Sequence, residues 1–126
     1  MIFALRLPSK CSFTLSSKVP SECSADIRKR VNAARKIQQE RLRGTGISCN
    51  AKMDSALTQE FCKPTAQALI MLERVFEKLD FSARAYDKIL RVSRTIADLD
   101  GSENIESAHI AKAVQFRSLD RKIWRR

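Results

Sequence analysis

The sequence predicts an all-α fold, a small bundle of about four to five helices preceded by an irregular leader over residues 1–20. Three observations predict it: apolar residues recur at three- and four-residue spacing in successive stretches, cap-forming residues punctuate those stretches, and no segment alternates with period two for long enough to make a strand. At 126 residues, with 44% hydrophobic and 30% charged residues, the chain has material for one modest core. Six Phe, one Tyr and one Trp leave that core to aliphatic side chains and alanine.

The first helix is expected after Pro20, with Ser24 as N-cap and Ile27, Val31, Ala34, Ile37 and Leu42 along one face, stopped by Gly44. A short polar connection follows, TGISCNAKM, then a brief helix capped by Asp54. Pro64 suits the first turn of the next helix, whose Leu69, Leu72, Val75, Phe76 and Leu79 form the clearest apolar stripe. Ser82 restarts the chain as N-cap of a helix running through Tyr86, Ile89, Ile96 and Leu99 to Gly101. After Ile105 a last helix begins near Glu106 or Ser107 and carries Ile110, Ala113, Val114 and Leu119, ahead of a basic, fraying RKIWRR end.

The net charge of +10 is unevenly placed. Ser24 to Arg43 holds seven basic residues against Asp26 and Glu40, and Arg117 to Arg126 holds five against Asp120, whereas Gly44 to Phe116 is nearly neutral. Basic ends on a neutral body favour nucleic acid or an acidic partner. Arg28, Lys29, Arg30, Arg35 and Lys36 are the candidate nucleic-acid contacts, Arg28 and Lys36 sharing a face with neither Ile27 nor Val31. No aromatic stacking set or recognition-helix signature accompanies them.

The sequence excludes several chemistries. Cys11, Cys23, Cys49 and Cys62 stand singly, without metal-site spacing, and read as reduced thiols of a cytoplasmic protein. His109, the only histidine, lies beside Ile110 near a helix start and reads as a capping or packing residue. Gly44, Gly46 and Gly101 never form GxxxxGK[ST], so the chain lacks a phosphate-cradling loop and is expected to be no enzyme alone. No run approaches the roughly 20 apolar residues that span a bilayer, so no membrane partner is expected.

CNAKM (Cys49 to Met53), SARAYDKILRVSRTIADLDGSENI (Ser82 to Ile105) and HIAKAVQFRSLDRKIW (His109 to Trp124) occur in that order. Together with SADIRKRVNAARKIQQERLRGTGI upstream, they resemble the C-terminal helical domain of the ComM/YifB branch of magnesium-chelatase-like AAA+ ATPases. The resemblance covers about Ser21 to Trp124 and assigns 21–126 to a lid domain. Residues 1–20 do not read like the ATPase core that precedes the lid in that family, so a truncated or frame-shifted product, or an unusual leader, is expected there. The resemblance implies a lid that presents a sensor-2 arginine, at Arg84, to ATP and Mg²⁺ bound by the complete protein; no cofactor is expected to bind this chain alone. It leaves open whether Arg84 serves its own or a neighbouring subunit. The expected helix start agrees, because first-turn N–H groups and the helix dipole favour an anion that a guanidinium can fork onto. Arg91 and Arg94 are reserve candidates, with pairing to Asp87 and Asp98 at i, i+4 as their helix-supporting role.

The implied partners are an ATPase core and the neighbouring subunits of a hexameric ring, with branch migration of DNA as the ComM-like task and metal insertion into a porphyrin as the chelatase-like alternative. Two further readings are a stand-alone basic DNA-binding module and a remnant that associates with full-length subunits.

Overall fold

The computed structural model describes residues 21–124; the expected leader over residues 1–20 and the last two residues of the basic end lie outside them. Within the described residues five α-helices follow one another: α1 (Ser24–Arg41), α2 (Ser55–Phe61), α3 (Ala66–Leu79), α4 (Ala83–Asp100) and α5 (Ser107–Trp124), with a 3-10 turn at Asn50–Lys52 between α1 and α2. Among the described residues there is no strand beyond one isolated bridge, Pro64 to Ile105. None of their helices is long and apolar enough to cross a membrane.

Helix α4 is the axis of the bundle. It packs against α1, the 3-10 turn, α2 and α5, while α3 covers α5. The core that results is aliphatic, as the composition requires: Leu42, Leu72, Ile89, Ile105 and Ile110 are fully buried, with Met53, Cys62, Phe81 and Leu90 around them. At its aromatic end Phe76 meets Tyr86 edge-on at 5.5 Å and Phe81 at 6.3 Å, the geometry that the ring quadrupoles favour.

Helix ends follow the local chemistry in most places. Asp54 accepts the Leu57 N–H at 2.8 Å and Ser82 accepts the Ala85 N–H at 3.3 Å, each closing a first turn. Gly101 ends α4 in the left-handed region, φ 70°, where a Cβ would be strained. Two expected starts shift. Ser24 is already helical and Cys23 stands at the cap, its Sγ donating to Asp26 rather than its side chain capping the backbone. Pro64 precedes the helix instead of entering it, because Thr65 takes the cap by accepting the Ala68 N–H and the strand-like bridge holds Pro64 extended. Helix α1 ends at Arg41 with Leu42 as C-cap, and Gly44 (φ 87°) turns the chain after it. Ile37, expected on the apolar face, is 38% exposed.

A polar lock fixes α1 to this scaffold. The Asp98 carboxylate has no exposed surface, and Arg41 grips it from α1, with one Nη at 3.0 Å from Oδ2 and the other on Oδ1. Arg94 Nε donates to Oδ1 at 3.1 Å, and Asn50 Nδ2 donates to Oδ2 at 2.9 Å. Gln38 Oε1 accepts the Asn50 N–H at 3.2 Å, so the 3-10 turn is tied to α1 as well. Removing one member of such a buried set strands the others, at a cost of about 3–5 kcal/mol. Asp98→Ala should therefore lower the unfolding free energy in urea by at least about 3 kcal/mol, with Asp98→Asn costing less because its amide oxygen still accepts; an Asp98→Ala midpoint equal to the parent's would refute the lock.

Candidate functional site

Arg84 and its two reserves lie on one helix, and the bundle gives them opposite fates. Arg91 turns inward: its Nη1 donates to the carbonyls of Ala51 at 3.1 Å and Met53 at 3.0 Å, and its Nε to the Asp87 carbonyl at 3.4 Å. It holds the 3-10 turn against α4, and its link to Asp87 runs to the backbone rather than to the carboxylate. Arg94, 3% exposed, pairs with Asp98 at the i, i+4 spacing and also donates to the carbonyls of Ser102 and Glu103, both at 2.7 Å. It fixes the loop between α4 and α5.

Arg84 is exposed in the first turn of α4 and makes no hydrogen bond or ion pair among the described residues. Ser82 engages the N–H groups of Ala85 and Tyr86 through its hydroxyl and carbonyl. The Ala83 and Arg84 N–H groups have no carbonyl a turn earlier within the helix to bond. Lys88 and Val92 follow Arg84 at four-residue steps, and Val92 is 40% exposed, so one face of α4 stays open. A groove of about 240 Å³ runs along it, lined by Lys88, Ile89, Val92, Ala113, Phe116 and Arg117. The Arg117 guanidinium lies 5.9 Å from the centroid of the Phe81 ring, just before the Ser82 cap. Arg84, Lys88 and Arg117 thus give this end of the bundle a positive face, of which sequence reasoning found only Arg84.

A second cleft, about 480 Å³, opens on another side of the same helix end, over Phe76, Ala83 and Tyr86. Glu73, Glu77 and Asp87 line it. These carboxylates oppose a phosphate ligand there and leave the Arg84 face as the anion-compatible one. Burial and the nearby Glu73 and Asp87 charges raise the Tyr86 pKa above its ordinary 10.0.

The other titratable candidates are structural. His109 Nδ1 accepts the Glu106 N–H at 3.0 Å, which places the proton of the neutral ring on Nε2, 3.1 Å from Asp100 Oδ2. The imidazole therefore caps the start of α5 and ties it to the end of α4, as its position predicted. Cys23, Cys49 and Cys62 are free thiols, and no group of three or more His, Cys, Asp or Glu residues among the described residues could hold a metal ion. Arg28, Lys29, Arg35 and Lys36 are all exposed on α1, whereas Arg30 is half-buried and pairs with Glu22 at 2.7 Å.

The sequence pattern of the family described as "Magnesium chelatase, subunit ChlI C-terminal" matches residues 21–117. The chain is similar to the uncharacterized protein YifB of Escherichia coli (strain K12), 40% identical over 103 residues, which are 82% of this chain and 20% of that protein. It is also 40% identical over 100 residues to the competence protein ComM of Haemophilus influenzae, covering 79% of this chain and 19% of that one. YifB of Salmonella typhimurium is 34% identical over the same share of this chain. The chain spans about one fifth of the length of these relatives.

Burial pushes the Cys62 thiol up from 9.0 to about 11, against the opposing pull of Arg94 and Arg41. Its thiolate is scarce at neutral pH, so in native protein a thiol reagent should modify Cys23 well before Cys62, as read by peptide mass mapping. Between pH 9 and 11 the unfolded chain releases the Cys62 proton and the folded chain keeps it, so this group's contribution to stability is intact below pH 9 and falls across that window. Equal labelling of the two thiols in folded protein would contradict this.

Proposed function

This chain belongs to the family of the magnesium chelatase subunit ChlI C-terminal domain, and we propose that it is the helical lid of a ComM-like AAA+ ATPase, with Arg84 as its nucleotide-sensing arginine. The observation that carries the reading is the sorting of the α4 arginines. Arg91 and Arg94 spend their donors inside the fold, while Arg84 presents its guanidinium outward at a helix start. That position suits a phosphate group, since backbone N–H groups, the helix dipole and a bidentate cation all favour an anion there.

ATP with Mg²⁺, held by the core of the complete protein, would supply the phosphate charge and the energy of hydrolysis. The residues of this chain bind and orient. Arg84 forks onto phosphate oxygens, Lys88 and Arg117 add positive potential beside it, and the apolar groove around Val92 and Phe116 seats against the core. Movement of Arg84 then carries the whole bundle, because α4 is one stiff helix of about 27 Å locked at its far end through Asp98 to α1. In a ring of such subunits, lid rotation would displace a bound nucleic acid strand or duplex. The competence role in the name of the Haemophilus relative supports a DNA-processing ring over porphyrin metallation.

The test is Arg84→Ala in the complete ATPase, with nucleotide affinity and hydrolysis measured together. Loss of a charge-assisted contact worth about 1.5–3 kcal/mol should lower one or both at least tenfold, while the stability of the lid, where Arg84 is exposed, stays unchanged. Arg91→Ala should instead destabilise the domain by about 1–3 kcal/mol through the stranded carbonyls of the 3-10 turn. Parental affinity and turnover in the Arg84 variant would overturn the assignment.

A further inference from the structure

The lid reading makes no use of the basic helix that opens the described chain. We propose that the solvent face of α1 is a sequence-independent binding surface for the phosphodiester backbone of duplex DNA, engaged through Arg28, Lys29, Arg35 and Lys36.

Packing fixes which side of α1 faces solvent. Ala34, Gln38 and Leu42 are buried, and Ile27, Val31 and Arg41 half-buried, along the side turned to α4 and the 3-10 turn. At 100° per residue, the exposed Arg28, Lys29, Asn32, Arg35, Lys36 and Gln39 lie across the opposite side. The two basic pairs stand seven residues apart, a rise of about 10 Å, and Asn32 separates them on that face. None of the four cations forms an ion pair or hydrogen bond among the described residues, so their charge is available outward. The acids nearby are otherwise placed: Glu22 pairs with Arg30, and Asp26 accepts from Cys23. Glu40 alone borders the strip, and Arg43 extends it into the following turn.

The composition of the face selects the partner. An acidic protein surface would dock around an apolar or aromatic centre, and the centre of this strip is Asn32, Arg35 and Lys36, with the exposed Ile37 off to its side. Helix α1 holds no Phe, Tyr or Trp, so it offers no platform for stacking the bases of a single strand. What remains is a row of cations on a rigid support, which answers a regular polyanion whose charge does not depend on sequence. The surface lies on α1 and Arg84 on α4, so this inference stands or falls apart from the nucleotide-sensing role.

The 126-residue chain should bind a fluorescent random-sequence DNA duplex, with log K falling linearly against log salt concentration. Arg35→Gln with Lys36→Gln, folded by circular dichroism, should lower the slope by nearly two, at about 0.9 per lost phosphate contact. Glu40→Gln should strengthen binding, and two unrelated duplex sequences should bind alike. Three results would each overturn the proposal: a slope unmoved by the double substitution, which would place binding on the basic C-terminal end; tighter binding of a single strand than of the duplex; or tighter binding of polyglutamate, which would make the strip a contact for an acidic protein.

Discussion

The carboxylate of Asp98 is the constraint on which the rest of the bundle depends. It has no exposed surface, yet two arginines and an asparagine converge on it. A lone carboxylate so placed would be driven to protonate, and lone guanidinium groups beside it would be stranded without water. Together they satisfy one another, but only in one arrangement of α1, the 3-10 turn and α4. Apolar packing alone would let α1 slide or rotate on α4, since its buried stripe is short and built around Ala34 and Gln38. The lock supplies the register that so thin a stripe does not.

The lock also explains the division of labour along α4. From its middle onward it is tied to its neighbours: Arg91 donates to the carbonyls of the 3-10 turn, Arg94 to Asp98 and the following loop, and Asp100 meets His109 of α5. Its N-terminal end, by contrast, leaves Arg84 and the open Lys88–Val92 face unspent. The segments that carry the family likeness are therefore of two kinds. Asn50, Arg91, Arg94 and Asp98 build the scaffold, and Arg84 is the member whose donors make no bond among the described residues.

Charge is divided on the same plan. The positive faces, on α1 and at the Arg84 end of α4, stand away from the cleft lined by Glu73, Glu77 and Asp87. Among the described residues of a chain of net charge +10, an acidic concavity whose carboxylates disfavour an anionic ligand thus stands apart from the exposed cations of α1 and of the start of α4.

By itself the sequence determined the helical class, the order of the helices, and the capping roles of Asp54, Ser82 and Gly101, because these rest on periodicity and on bonds made within one turn. It also determined the structural character of His109, whose partners Glu106 and Asp100 are close in the chain. What tertiary structure decided was every role set by a distant partner. Arg91 read as a reserve beside Arg84, with Asp87 as its i, i+4 partner, and only the fold gave it the carbonyls of the 3-10 turn, about forty residues upstream. Asn50 looked like one residue of a polar connection until the 3-10 turn brought it 2.9 Å from Asp98. Pro64 was displaced from its helix by a bridge to Ile105 that no local pattern encodes. Arg41 and Asp98 lie 57 positions apart, so the ion pair that organises the domain has no signature in either neighbourhood; it exists because burial gives each charge no better partner than the other.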